Sequence, residues 1–254
     1  DGLRARGLFN AGQLEAFMGR HGEAMPLLLE CLVIARETGD AAREAAVLQP
    51  LVMAAMGLGD TDAARRHAVD AVAAARRPGN PRQLASALNA LAQLDRMDGR
   101  LDAAEAAYAE ALALARTAGD PEYIAVLQLN LAMVNLSAGR AAVCGDCVRE
   151  VIAIADATGS RPAAVGVLDV CTGLAMAAAD AERAVCWHGL AEAEYQRAGL
   201  QRDAADAAFL APFLQAARRA LAGRFDAVLA EGRQAGFDAQ WAALAGWLAP
   251  ISRS

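Results

Sequence analysis

The sequence specifies an all-α fold: a solenoid of antiparallel helix pairs with a 40-residue period, wound as a right-handed superhelix. Gly39, Gly79, Gly119, Gly159 and Gly199 stand 40 residues apart, and Gly19, Gly59, Gly99 and Gly139 fall halfway between them. Fixed self-similarity at such a period marks units that bury their apolar faces against neighbouring units rather than around one centre. Composition agrees, since alanine makes up about a quarter of the 254 residues, hydrophobic residues 56% and aromatics only 5%. Such chains suit closely packed helices.

The glycines divide the chain into five hairpins, residues 1–40, 41–80, 81–120, 121–160 and 161–200, followed by capping helices over residues 201–254. In the first hairpin, Gly19 separates two helices and Gly39 closes the second, because glycine readily takes the left-handed conformation that ends a helix. The second begins after Asp40 and carries Pro50 inside its first helix, where a missing N–H should cost a hydrogen bond and bend the helix. The third shows the pattern most fully, with one helix from Pro81 to Gly99 and another from Leu101 to Ala118. Pro121 opens the fourth and Pro162 lies near the start of the fifth, where the first turn of a helix has no use for the lost donor. Asp40, Asn80, Asp120 and Ser160 follow the glycines and can accept hydrogen bonds from the free N–H groups of the next helix. Connections of two or three residues between helices of about 16 residues, some 24 Å long, leave only antiparallel packing.

Small residues recur at equivalent positions of the second helices: Ala24, Ala64, Ala104, Cys144 and Ala184. Four residues on come Leu28, Ala68, Tyr108, Val148 and His188, and three further on Cys31, Ala71, Ala111, Val151 and Ala191. Leu88, Leu91, Ala104, Tyr108 and Ala111 carry the early Leu-x-x-Leu and the later Ala-x-x-x-aromatic-x-x-Ala spacing. In this the chain resembles the tetratricopeptide repeat (TPR), with helices longer than the usual 34-residue unit provides.

A second resemblance lies towards the C-terminus. The stretch Ala181–Ala193 with Trp187-His188-Gly189, then Phe225, then Glu231-Gly232-Arg233, then a helix from Asp238 through Ala242 to Leu248, is similar to the end of certain multidomain bacterial transcriptional regulators. Trp187-His188 departs from that pattern, which usually has two apolar residues before its glycine. The resemblance implies a regulatory tail, with a signalling ATPase and a winged-helix or LuxR-type DNA-binding domain expected in the full-length protein. The chain opens at Asp1 within a repeat, so a segment of something longer is expected.

The net charge of −6 is wrong for gripping a phosphate backbone, so no direct nucleic-acid contact is expected. All 24 basic residues are arginine, which excludes a lysine-bearing phosphate loop. No apolar run reaches the ~20 residues of a membrane helix, and five scattered cysteines suit a reducing cytoplasm. Cys144-x-x-Cys147 lies in helical pattern without the loops of a structural zinc site, so buried thiols are expected. His21, His67 and His188 fall in different units with no nucleophile beside them, and no enzyme, metal or cofactor is expected. Arg65-Arg66, Arg76-Arg77 and Arg218-Arg219 read as solvated faces, and Trp241 and Trp247 as anchors of a terminal cap.

Aligning the first helices by the repeat exposes a candidate partner groove on the concave face. Five of the seven methionines fall there, Met53, Met56, Met97, Met133 and Met176, joined by Phe9, Phe17, Leu129 and Leu136. Gln13, Gln49, Asn89 and Gln93 are interspersed as hydrogen-bonding amides. Thioethers suit a groove that adapts to an apolar helix or peptide; the alternative is that adjacent first helices bury these positions and methionine fills gaps. The function expected is binding of a protein, a peptide or a small inducer, with a freestanding TPR adaptor or chaperone, or a small-molecule receptor domain, as the alternatives.

Overall fold

The computed structural model describes residues 2–77 and 80–248; Gly79 of the glycine series, like Asp1, lies outside them. Among the described residues there are thirteen α-helices, one 3-10 turn and no strand. The chain divides into two compact units, Asp1–Gly119 and Asp120–Ser254.

The first unit holds α1 (Gly2–Phe17), α2 (His21–Thr38), α3 (Ala41–Gly57), α4 (Thr61–Arg76), α5 (Pro81–Met97) and α6 (Leu101–Ala118). Successive helices pair as α1 with α2, α3 with α4 and α5 with α6, and α2 and α4 each also pack on the first helix of the next pair. α5 stops at Met97, two residues short of the expected Gly99, because the turn begins with Asp98. Asp40, Asn80 and, at a position the sequence reading did not mark, Asp60 cap α3, α5 and α4 through their side chains. Pro50 is buried inside α3, and Pro26 lies inside α2. Ala64, Ala68 and Ala71 are buried to 2% or less, so α4 approaches its partners over a seam of single methyl groups. Leu14 on α1 is 57% exposed, whereas its repeat equivalents Ala54 and Leu94 are fully or almost fully covered. Those two have an earlier helix pair beside them within the unit.

The second unit holds α7 (Pro121–Ser137), α8 (Ala141–Thr158), α9 (Arg161–Ala177), α10 (Ala181–Ala198), α11 (Ala204–Leu221), a 3-10 turn (Ala222–Arg224), α12 (Phe225–Gln234) and α13 (Phe237–Leu248). Its core is built from larger side chains: Trp187, Leu168, Leu174, Leu190 and Met133 are among the most fully buried. Asp120, Ser160 and Asp180 cap α7, α9 and α10. The glycines of both series that fall in described turns adopt φ between 65° and 76°. The fifth copy has Ala179 where the halfway glycine would stand, and it keeps the same backbone at φ 59°.

The C-terminal helices fold back onto the second unit. α12 crosses α10 at two glycines: a Cβ on Gly232 would lie 2.2 Å from the Cys186 carbonyl oxygen, and one on Gly189 2.4 Å from that of Leu229. Only a residue without a side chain fits either place, which gives Gly189 and the Glu231-Gly232-Arg233 segment a packing role. Arg233 then reaches Glu192 on α10 at 2.7 Å. α13 docks through Trp247, edge-on to Trp187 with ring centroids 5.0 Å apart, and through Trp241, whose Nε1–H donates to Asp156 Oδ1 at 2.9 Å. The two tryptophans thus anchor the last helix against α10 and α8.

Candidate functional site

The thirteen groove residues separate by unit. In the first unit Phe17 is 69% exposed and Met97 39% exposed, and Gln49 is exposed as well. Phe9, Gln13, Met53, Met56, Asn89 and Gln93 are half-buried, with Phe9, Met53 and Met56 leaning on the alanine-rich clusters below. In the second unit the groove expectation is corrected for Leu129, Met133 and Leu136, which are 8%, 2% and 6% exposed and so offer no accessible face. The cause is direct packing of α7 on α9, where Gly166 and Gly173 leave room: a Cβ on them would lie 2.5 Å from Leu129 Cδ1 and 2.7 Å from Leu136 Cδ2. Met176 is half-buried and packs between the main core and the Val185–Phe225 cluster. The groove residues of α1, α3 and α5, Phe9, Gln13, Phe17, Gln49, Met53, Met56, Asn89, Gln93 and Met97, all keep some exposed surface.

A second feature was not foreseen. A cavity of about 290 Å³ lies between the start of α9 and the end of α10, with Arg161, Glu194 and Arg197 as its polar lining. Glu194 is buried and takes Arg161 Nε–H on Oε2 at 2.7 Å, while the Arg197 guanidinium lies against its Oε1. Arg161 also covers the Phe237 ring at 3.3 Å from the centroid. The cavity owes its existence to a break in the punctuation. Two residues, Gly159 and Ser160, separate α8 from α9, but five, Gly199–Asp203, separate α10 from α11. This longer connection is pinned from below by Arg202, which donates from Nε and one terminal nitrogen to the two oxygens of Asp169, both at 2.9 Å. Asp169 is 1% exposed, and burial raises its pKa even beside Arg202. Burial likewise pushes the Tyr195 phenol up, with the Asp169 carboxylate adding to it. Nothing in Glu194 itself marks it in the sequence; the missing helix start after Gly199 is the one legible sign.

The remaining candidates resolve into packing. Cys144 and Cys171 are buried, and burial raises both thiols, so neither is a ready thiolate. Among the described residues no group of three or more histidines, cysteines or acidic residues is arranged to hold a metal. His188 is 5% exposed, and burial, with Arg202 adding to it, lowers its pKa to about 4 despite Glu192 Oε1 at 3.3 Å from Nε2. Arg76 and Arg77 lie exposed, as expected, Arg76 pairing with Glu110 of the next hairpin and Arg77 with Glu44 of its own, both at 3.0 Å, whereas Arg65 is half-buried and pairs with Asp95 of the next hairpin at 2.7 Å. No helix among the described residues is long and apolar enough to cross a membrane.

The family model described as anaphase-promoting complex subunit 5 matches residues 5–53, 44–98 and 82–138, together just over half of the chain. The chain belongs to this family. The matches begin at residues 5, 44 and 82, a step close to one repeat, so what the family shares with this chain is its helical repeat. Two solved structures of nearly identical TPR-like repeats, from a Podosopora anserina protein assigned as a kinesin light chain, are similar in fold. One is 17% identical with a TM-score of 0.62, covering 77% of this chain and 96% of that one. The other is 17% identical with a TM-score of 0.60, covering 79% and 98%. A comparison with curated proteins gives no match. The chain is therefore a TPR-like repeat protein, and such repeats typically serve as scaffolds for protein–protein interaction.

Proposed function

We propose that this chain is a non-catalytic interaction and sensor domain of a cytoplasmic bacterial transcriptional regulator, binding a protein or peptide along α1, α3 and α5. Five hairpins over residues 1–200 form the repeat array, and residues 201–254 close it. The observation that carries the proposal is the row of half-buried to exposed thioether and amide side chains in the first unit, Met53, Met56, Asn89, Gln93 and Met97. Flexible thioethers adapt to an apolar helix face, and the amides hydrogen-bond at its edges. The regulator context rests on the resemblance of Ala181–Ala193 and Phe225–Leu248 to the ends of such proteins, whose ATPase and DNA-binding domains would read out the bound state. A partner that prefers one arrangement of the array shifts its population, and no covalent step is required.

The test is selection of helical peptides from a displayed library on the intact chain, followed by measurement on a Met53→Glu/Met97→Glu variant. Peptides that lose about tenfold or more in affinity for the variant support the proposed face. Selected peptides indifferent to both substitutions place binding elsewhere and refute it.

A further inference from the structure

We propose that the cavity between α9 and α10 is a binding site for a small organic carboxylate with an apolar body, recognised by Arg161 and Arg197. The site is separate from the α1–α3–α5 face and does not depend on the proposed regulatory role.

Its walls are apolar, formed by Pro162 and Val165 of α9, Tyr195 and Ala198 of α10, and Leu200 of the connection beyond. Leu200 is 56% exposed, an uncovered aliphatic side chain at a cavity lined by a charged cluster. Sites for small ligands combine such walls with a few converging polar groups. Here the polar groups are two guanidinium ions converging on one buried carboxylate. Arg161 and Arg197 side chains remain 47% and 54% exposed while Glu194 is 6% exposed, so the acid is enclosed and the bases are not. Each guanidinium has five N–H donors, and Glu194 engages only part of each set. A second carboxylate can therefore approach donors already oriented by the first, and charge-assisted pairs of this type are about twice as strong as neutral ones.

Arg161 also faces Asp238, 3.8 Å from one of its terminal nitrogens. The Asp238 side chain is fully exposed, so water and salt screen it and it opposes an incoming anion only weakly. Arg202 and Asp169 neutralise each other beneath the connection. A cavity of about 290 Å³ suits a compact molecule and not a folded partner.

Calorimetric titration of the intact chain with butyrate, hexanoate, octanoate and phenylacetate, each against its carboxamide, tests this assignment. At least one acid is expected to bind about tenfold or more tightly than its amide, the size of a lost charge-assisted hydrogen bond. Arg197→Gln should weaken that acid by a similar factor, and Leu200→Asp should weaken both acid and amide. Asp238→Asn should tighten the acid by roughly twofold at low salt and less at high salt. Both Arg197 and Asp238 are surface side chains, so circular dichroism identical to the parent is expected for their variants. Equal binding of acid and amide, an unchanged affinity in Arg197→Gln, or binding by none of the four acids would overturn the proposal.

Discussion

Ala179 holds a left-handed backbone that its equivalents assign to glycine, and φ of 59° puts its Cβ against the following carbonyl. Replacing it with glycine should stabilise the protein by about 1 kcal/mol, even though glycine elsewhere in a helical region costs a similar amount. Thermal unfolding of Ala179→Gly decides the sign, and a lower melting temperature would show that the turn is not strained. The opposite substitution fails where two backbones cross. Gly232→Ala improves helix propensity by roughly 1 kcal/mol, yet its Cβ would meet Cys186 backbone atoms that cannot rotate away, so a net loss of about 1–3 kcal/mol is expected by denaturant titration. His188 sets a pH dependence. Its folded pKa of about 4 lies below the ordinary 6.5, so between those values the unfolded chain takes up a proton that the folded chain refuses. Stability from this residue is complete above pH ~6.5 and declines as pH falls towards 4, by an amount on the order of 3 kcal/mol. Asp169, raised by burial, acts with the opposite sign, so the measurement is the difference between parent and His188→Gln across that window. Parallel curves for the two proteins would remove His188 as the source. Arg202, Arg233 and Glu192 surround the imidazole, and only Glu192 favours its charged form.

Each helix of the repeat is punctuated locally but positioned by its neighbours. Side-chain caps at Asp40, Asp60, Asn80, Asp120, Ser160, Asp180 and Asp203 fix where helices begin, whereas α2, α6 and α8 start after arginines that make no capping bond. Those three are held by the tight glycine turn before them and by the core below. α13 illustrates the other limit, a short helix whose place depends on its docking. Trp247 against Trp187 supplies an aromatic pair worth about 0.5–1.5 kcal/mol beyond the apolar area it covers. Trp247→Ala should cost roughly 2 kcal/mol or more and make the connection at residues 235–236 the first site of limited proteolysis. Cleavage there at the parental rate would mean that the bond of Trp241 to Asp156 and the Arg161 guanidinium over Phe237 hold the helix without Trp247.

At the scale of the molecule, the two compact units differ in what they bury. α4 packs through alanines, each contributing little apolar area, while α7–α10 enclose tryptophan, leucine and methionine. Amide hydrogen exchange should therefore be slowest in α7–α10 and about tenfold or more faster in α4; the reverse order would contradict this account of the cores. The repeat, its helix pairs and its turns were legible in the sequence because they follow from short-range rules: left-handed glycines at 40-residue spacing, proline in the first turn and acceptors just after the glycines. The small–large–small face of the second helices was legible for the same reason, since one helix period places those residues together whatever lies opposite. The burial of three of the thirteen groove positions was not, because Leu129, Met133 and Leu136 continue the same helical face on α7 and are covered only where Gly166 and Gly173 let α9 close over them. Nor was the arginine-flanked cavity, which joins residues 33 apart through a connection whose extra length matters only once Arg202 has found Asp169. By itself the sequence determined where this chain turns and which faces are apolar. Which of those faces stay open was decided by side-chain volumes meeting across helices far apart in the chain, a quantity that no local pattern encodes.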